Sequence, residues 1–83
     1  MKNRAIIEET AFSALTNLGY KILLRHYECE LGEIDFVAKR AGKLIFIGIN
    51  RIAARPLIKA GEYYMKRYGI QSVEPDYEFF EVA

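Results

Sequence analysis

Two carboxylates, Glu33 and Asp35, lie one residue apart at the start of the stretch GEIDFVAKR, residues 32–40. A second apolar stretch, KLIFIGIN, residues 43–50, follows after the short connection at Ala41-Gly42. Side chains alternate along a strand, so Glu33, Asp35 and Val37 are expected on one face and Ile34, Phe36 and Ala38 on the other. In the next strand Leu44, Phe46, Gly48 and Asn50 share a side. An antiparallel turn at 41–42 then brings Asp35 close to Gly48. That geometry can hydrolyse phosphodiesters when an acid on one strand faces an acid and a lysine on the next. The carboxylates hold Mg²⁺, a hard cation that takes oxygen ligands, and the lysine meets the charge that builds on the phosphate oxygens. Here Asp35 is present, but Gly48 has no ligand atom and Asn50 carries no charge. Losing both groups removes several kcal/mol of transition-state stabilisation.

Other residues compete for a chemical role. Glu33 shares the face of Asp35 and offers a migrated second carboxylate; the plainer reading is a surface acid near a turn. Asp35 itself can be a strand acid paired with Arg25 or Arg51 rather than a metal ligand. Arg51, Arg55 and Lys59, continued by Lys66 and Arg67, make a basic strip suited to phosphate. Glu62 interrupts it, and the same residues fit the solvated side of an amphipathic helix. Tyr63, Tyr64 and Tyr68 could stack on bases, although helical spacing favours core packing for Tyr64 and Tyr68. His26 has no serine, cysteine or second histidine at useful spacing and reads as a strand residue.

The elements that position these groups follow from periodicity. Asn3 caps a helix from about Arg4 to Leu18, with Ile7, Ala11, Ala14, Leu15 and Leu18 as its stripe and Glu8 and Glu9 near its positive end. YKILLRHYE reads as a strand with Ile22, Leu24 and His26 opposite Leu23, Arg25 and Tyr27. Residues 33–40 and 43–50 are the next two strands, the latter apolar on both faces like a covered central strand. Pro56 suits the first turn of a second helix with a stripe of Leu57, Ala60, Gly61, Tyr64, Met65 and Tyr68. IQSV suggests a short extra strand, Glu74-Pro75-Asp76 a turn, and YEFFEV a closing strand. The expected architecture is α/β, a mixed sheet flanked by helices in the order α-β-β-β-α-β, with residues 1–83 as a single small domain.

Composition narrows the class. The chain has 83 residues, 52% hydrophobic and 28% charged, which is globular rather than disordered. A net charge of +1 leaves only a local patch to serve nucleic acid. The single Cys29 cannot close an internal disulfide, and a reducing cytoplasm is the expected compartment. No apolar run reaches the ~18 residues of a membrane span, and MKNRAIIEET places acids where a secretory leader needs an apolar core. Six tyrosines and five phenylalanines on so small a domain suggest a sticky surface and a homodimer.

Taken together, residues 8–51 resemble the YraN-like endonuclease family, related to archaeal Holliday junction resolvases and the wider restriction-endonuclease-like superfamily. The helix pattern E-x-x-A-x-x-x-L-x-x-x-G-Y stands here as Glu8, Ala11, Leu15, Gly19 and Tyr20, and GEID as Gly32-Glu33-Ile34-Asp35. The family's F-V-E-V-K strand falls on Phe46-Ile47-Gly48-Ile49-Asn50, followed by a basic residue, Arg51. Beyond Arg51 the resemblance fades, and the chain is shorter than the family pattern. The resemblance implies a restriction-endonuclease-like fold and metal-binding, DNA-processing roles for Asp35 and Glu8. It cannot carry those roles onto Gly48 or Asn50. The expectation is therefore a non-catalytic relative, without cofactor, that binds nucleic acid such as DNA or assembles with itself. One alternative is an active Mg²⁺ endonuclease rebuilt from Asp35, Glu33 and Glu8; another is a purely structural dimerisation module.

Overall fold

A computed structural model describes residues 3–83. Helix α1 spans Arg4–Asn17, and the Asn3 side chain caps it by accepting from the Ile6 amide at 2.9 Å. Ala11 and Leu15 are buried, with Ile7 and Phe12 packed beside them. Ala14 and Leu18 face solvent, because a single helix laid on a sheet buries only the row at i, i+4 and i+8. The first turn of α1 holds no acid. Glu8 lies one turn further in, and Arg4 leads instead, a cation where the helix dipole disfavours one by about 0.3–1 kcal/mol.

Four strands follow: β1 (Lys21–Cys29), β2 (Gly32–Arg40), β3 (Lys43–Ile49) and, after helix α2 (Ala54–Arg67), β4 (Asp76–Phe80). They form one sheet in the order β1-β2-β3-β4. The first three run antiparallel, and β4 pairs parallel to β3. The mixed sheet and the element order match the sequence expectation. No strand forms over IQSV: the Ile70 amide donates to the Met65 carbonyl at 2.8 Å to close α2, and Ser72 turns left-handed at φ 63°.

Each face of the sheet carries one helix. Phe36, Ala38, Ile45, Ile47 and Ile49 pack with Ala11 and Leu15 of α1. Ile34, Val37, Leu44 and Phe46 pack with Leu57 and Ala60 of α2. Every residue of β3 from Leu44 to Ile49 is buried, as a central strand covered on both sides requires. In β4, Tyr77 joins the α2 side and Phe80 the α1 side, as alternation predicts.

Strict alternation fails in β1 and β2. Ile34 sides with Val37 rather than with Phe36 and Ala38. The register of β1 shifts between Ile22 and Leu24, and His26 sits in the left-handed region at φ 66°. A bulge and a left-handed residue each rotate the chain about its axis, so Arg25 stacks over Phe12 on the α1 side while Tyr27 meets Tyr64 on the α2 side.

The motif residues have packing reasons. Tyr20 is buried against Phe80, its hydroxyl donating to Glu78 at 2.5 Å, which ties the end of α1 to β4. At Gly32 a Cβ would lie 2.2 Å from the Pro56 carbonyl oxygen, so only glycine lets α2 begin where it does. Gly32→Ala is therefore expected to destabilise the fold by about 2 kcal/mol through overpacking, a fall in Tm of about 10 °C for a domain this size. Thermal unfolding followed by circular dichroism checks it; an unchanged Tm contradicts the close approach.

Candidate functional site

Where β2 and β3 part, the Asp35 carboxylate fills the gap. The antiparallel register runs as far as Phe36 opposite Ile47, and one step further sets Asp35 beside Gly48. Beyond that point the Ile49 amide donates to Asp35 Oδ2 at 2.6 Å, so a side chain takes the place of a ladder carbonyl. Asp35 is 1% exposed and the only charged residue among the described buried ones. A buried carboxylate demands hydrogen-bond donors. Arg51 supplies two in a fork, Nε to Oδ2 at 2.8 Å and Nη2 to Oδ1 at 3.0 Å. Arg4 Nη2 adds a third at 2.6 Å to Oδ1. Burial pushes the carboxyl upward, but the bonds from Arg51, the Ile49 amide and Arg4 outweigh it and hold Asp35 below the usual carboxylate range. The same bond to Asp35, with the Asp35 and Glu33 charges, raises Arg51 against the cost of its own burial.

The charges continue outward on both sides. Arg4 also reaches Glu8 at 3.4 Å and donates from Nη1 to the Ile49 carbonyl at 3.2 Å. Arg51 Nη2 lies 2.6 Å from Glu33 Oε1. His26 Nε2 is 3.9 Å from Glu33 Oε2 and from Glu28 Oε1. Donor atoms of Glu8, His26 and Asp35 all lie within 4.8 Å of one another. Acids from α1 and β2 thus lie close together, with Arg4 between Glu8 and Asp35 and Arg51 between Glu33 and Asp35.

Gly48 and Asn50 serve different ends. A Cβ on Gly48 would stand 3.4 Å from Arg51 Cδ and 3.3 Å from the Phe79 ring, so the missing side chain is the room through which Arg51 reaches Asp35. Asn50 does not present its amide to the acids. It turns left-handed at φ 54°, a conformation asparagine tolerates better than most residues. Its Nδ2 donates to the Val82 carbonyl at 3.0 Å, its Oδ1 accepts from the Val82 amide at 2.7 Å, and its own amide donates to Phe80 at 2.8 Å. The expectation that it shares a side with Gly48 fails because the left-handed turn redirects it to latch the C-terminal segment.

Mg²⁺ does not fit this arrangement. The four Asp35 hydrogen bonds use the lone-pair sites of both oxygens, and Glu8 and Glu33 are each paired with an arginine. Of the predicted basic strip, Arg51 is committed to Asp35 and Glu33, while Arg55 and Lys59 stay exposed on α2. Arg25 bonds Glu9 rather than Asp35. Two participants were missed. Arg4 was legible as a cation in the first turn of a helix, four residues before an acid. His26 was legible from the hairpin: a turn at Glu30-Leu31 sets residue 26 opposite residue 35.

The family model of uncharacterised protein family UPF0102 matches residues 7–82, so the likeness runs past Arg51 through the whole second half. A UPF0102 protein of Caldicellulosiruptor saccharolyticus is 28% identical over 90% of this chain and 76% of its own length. One of Wolinella succinogenes is 32% identical over 72% of this chain and 67% of its own length. One of Lachnoclostridium phytofermentans reaches 48% identity, over 52% of this chain and 36% of its own length. The chain thus spans as little as about a third of some of the curated relatives it matches.

Two predictions follow from the clamp and the latch. Because Asp35 is depressed in the folded state, its contribution to stability is present above the unfolded carboxyl value of about 3.9 and is lost as pH falls through the lower folded value. Asp35→Asn removes that acid dependence and costs about 3 kcal/mol at neutral pH, since two arginines lose their buried partner; urea unfolding at several pH values measures both. Asn50→Ala is expected to cost about 1–2 kcal/mol from the left-handed backbone and the lost bonds, with faster amide exchange at Val82. Asn50→Lys follows the same direction rather than restoring a catalytic cation.

Proposed function

The chain belongs to the uncharacterised protein family UPF0102, the YraN-like endonuclease family, and from that premise we propose that it is a non-cleaving member that binds nucleic acid along the outer face of α2. The observation that carries the non-cleaving reading is the saturation of Asp35 by Arg51, Arg4 and the Ile49 amide. Metal-dependent phosphodiester hydrolysis needs a cation that polarises the phosphate and binds water. A guanidinium supplies charge but has no open coordination position for water, and no lysine stands beside it at residue 50.

Binding rests on the surface left free. Arg55, Lys59, Lys66 and Arg67 are exposed along α2, with Tyr63 among them. Spacings of four and seven residues place cations on one side of a helix. A groove of about 560 Å³ runs beside them, lined in part by Leu31, Lys59, Tyr63, Lys66 and Ile70. Cations along a groove suit a phosphate backbone, and an exposed tyrosine offers a stacking plane to an unpaired base. Glu62 in the same groove keeps the affinity modest.

Cleavage and gel-shift assays on branched and linear DNA with Mg²⁺ or Mn²⁺ test this reading. The expected outcome is no cleavage, and binding whose affinity falls with a log–log salt slope of about −3, at roughly 0.9 per phosphate contact. Arg55→Ala with Lys59→Ala is expected to reduce the slope by about 2. Specific cutting that vanishes in Asp35→Ala contradicts the closed site. Binding unaffected by salt and by the α2 variants contradicts the interface.

A further inference from the structure

We propose that the outer face of α2 takes single-stranded nucleic acid in preference to duplex, with the Tyr63 ring as the plane on which an unpaired base stacks. This names the ligand class for the nucleic-acid reading and rests on that reading. Arg55, Lys59, Tyr63 and Arg67 are successive i+4 positions of α2, so they form one ridge with steps of about 6 Å. Lys66 lies beside that ridge, seven residues after Lys59. All five are exposed. The ring thus has cations before and after it along the helix, which matches the order phosphate, base, phosphate along one strand.

The rings of α2 divide by what they touch. Tyr64 meets Tyr27, Phe46 and Tyr68 at centroid distances of 5.2, 5.5 and 4.8 Å, and Tyr77 joins Phe46. Those rings are committed to packing α2 on the sheet. Tyr63 lies outside both core clusters and is 40% exposed. It borders two open spaces: the groove of about 560 Å³ that it shares with Leu31, Met65 and Ile70, and a hollow of about 210 Å³ lined by Tyr63, Lys66 and Arg67. An exposed ring among cations suits a base of any identity, because every base has a π-face. In a duplex those faces are stacked on one another and must first be pulled apart. Glu62 adds to the preference. It flanks the ridge, three residues after Lys59 and four before Lys66, and lines the larger groove. One strand laid along the ridge passes beside it, whereas the second backbone of a duplex brings phosphates against a carboxylate.

Fluorescence anisotropy of the full chain with labelled oligothymidylate, oligouridylate and a duplex of equal length tests the preference. Both single strands are expected to bind at least tenfold tighter than the duplex. Their log–log salt slope is expected near −3, from Arg55, Lys59, Lys66 and Arg67 at roughly 0.7 per phosphate contact. Tyr63→Ala is expected to weaken the single strands at least fivefold and the duplex less than twofold, while Tyr63→Phe leaves both unchanged, since the ring and not the hydroxyl does the stacking. The chain has no tryptophan, so Tyr63→Trp places one reporter at the site, and its emission is expected to be quenched as single strand saturates it. Duplex bound as tightly as single strand, or tryptophan emission unchanged at saturation, overturns the single-strand inference and leaves the nucleic-acid reading standing. Binding of neither form overturns both. A preference for single strand seen with one sugar only supports the site and names its source as DNA or RNA. If Tyr63→Ala fails to fold, the parent's ratio of single-strand to duplex affinity and the Tyr63→Trp quenching decide it.

Discussion

A carboxylate removed from water must be surrounded by donors, and Asp35 meets that demand at the one place where the sheet cannot. Where β2 and β3 separate, the Ile49 amide lacks a strand partner and takes the side chain instead. The remaining lone pairs draw in arginines from two distant segments, the start of α1 and the residues after β3. One buried acid thereby fixes three things: the end of a ladder, the seating of a helix and the path of the chain into α2. A cation at the head of α1 is unfavourable by itself; opposite Asp35 and Glu8 it becomes the tie that holds the helix to the sheet.

The same constraint governs the chemistry. A site that binds a free metal ion must leave carboxylate lone pairs open and offset their repulsion only when the ion arrives. Here the compensating charge is covalently attached and always present. Gly48 leaves room for this, because a side chain there would stand against the Arg51 stem and the Phe79 ring. Asn50 secures Val82 through both of its side-chain amide atoms. Four hydrogen bonds, from Arg4, Arg51 and the Ile49 amide, commit this carboxylate to the internal structure.

Much of this was readable in the residues. The Asn3 cap, the buried pair Ala11 and Leu15, the apolar run of β3 and Pro56 in the first turn of α2 all follow from periodicity and end signals. The approach of Asp35 to Gly48 follows from hairpin arithmetic. What escaped was irregular. A strict two-residue period cannot see the bulge after Ile22 or the left-handed turn at His26, and with those breaks Arg25 and Tyr27 pack on opposite sides of the sheet. Nor can it see that Asn50 turns left-handed, since that depends on what lies beside it. Arg4 was visible as a misplaced charge, but its partner stands 31 residues away, beyond any local pattern. The fold's regular parts were thus legible from spacing, and the site's most informative atoms lay at the exceptions.

The central claim is that arginine has closed the Asp35 carboxylate to hard cations. The most direct measurement is the carbon chemical shift of the Asp35 side-chain carboxyl, followed by NMR as Mg²⁺ is raised to millimolar levels near neutral pH. The account predicts an ionised carboxylate whose resonance stays fixed throughout, in the parent chain as isolated. A saturable shift of that resonance, with Arg51 released from its fork, would show the ion taking the lone pairs and would contradict it.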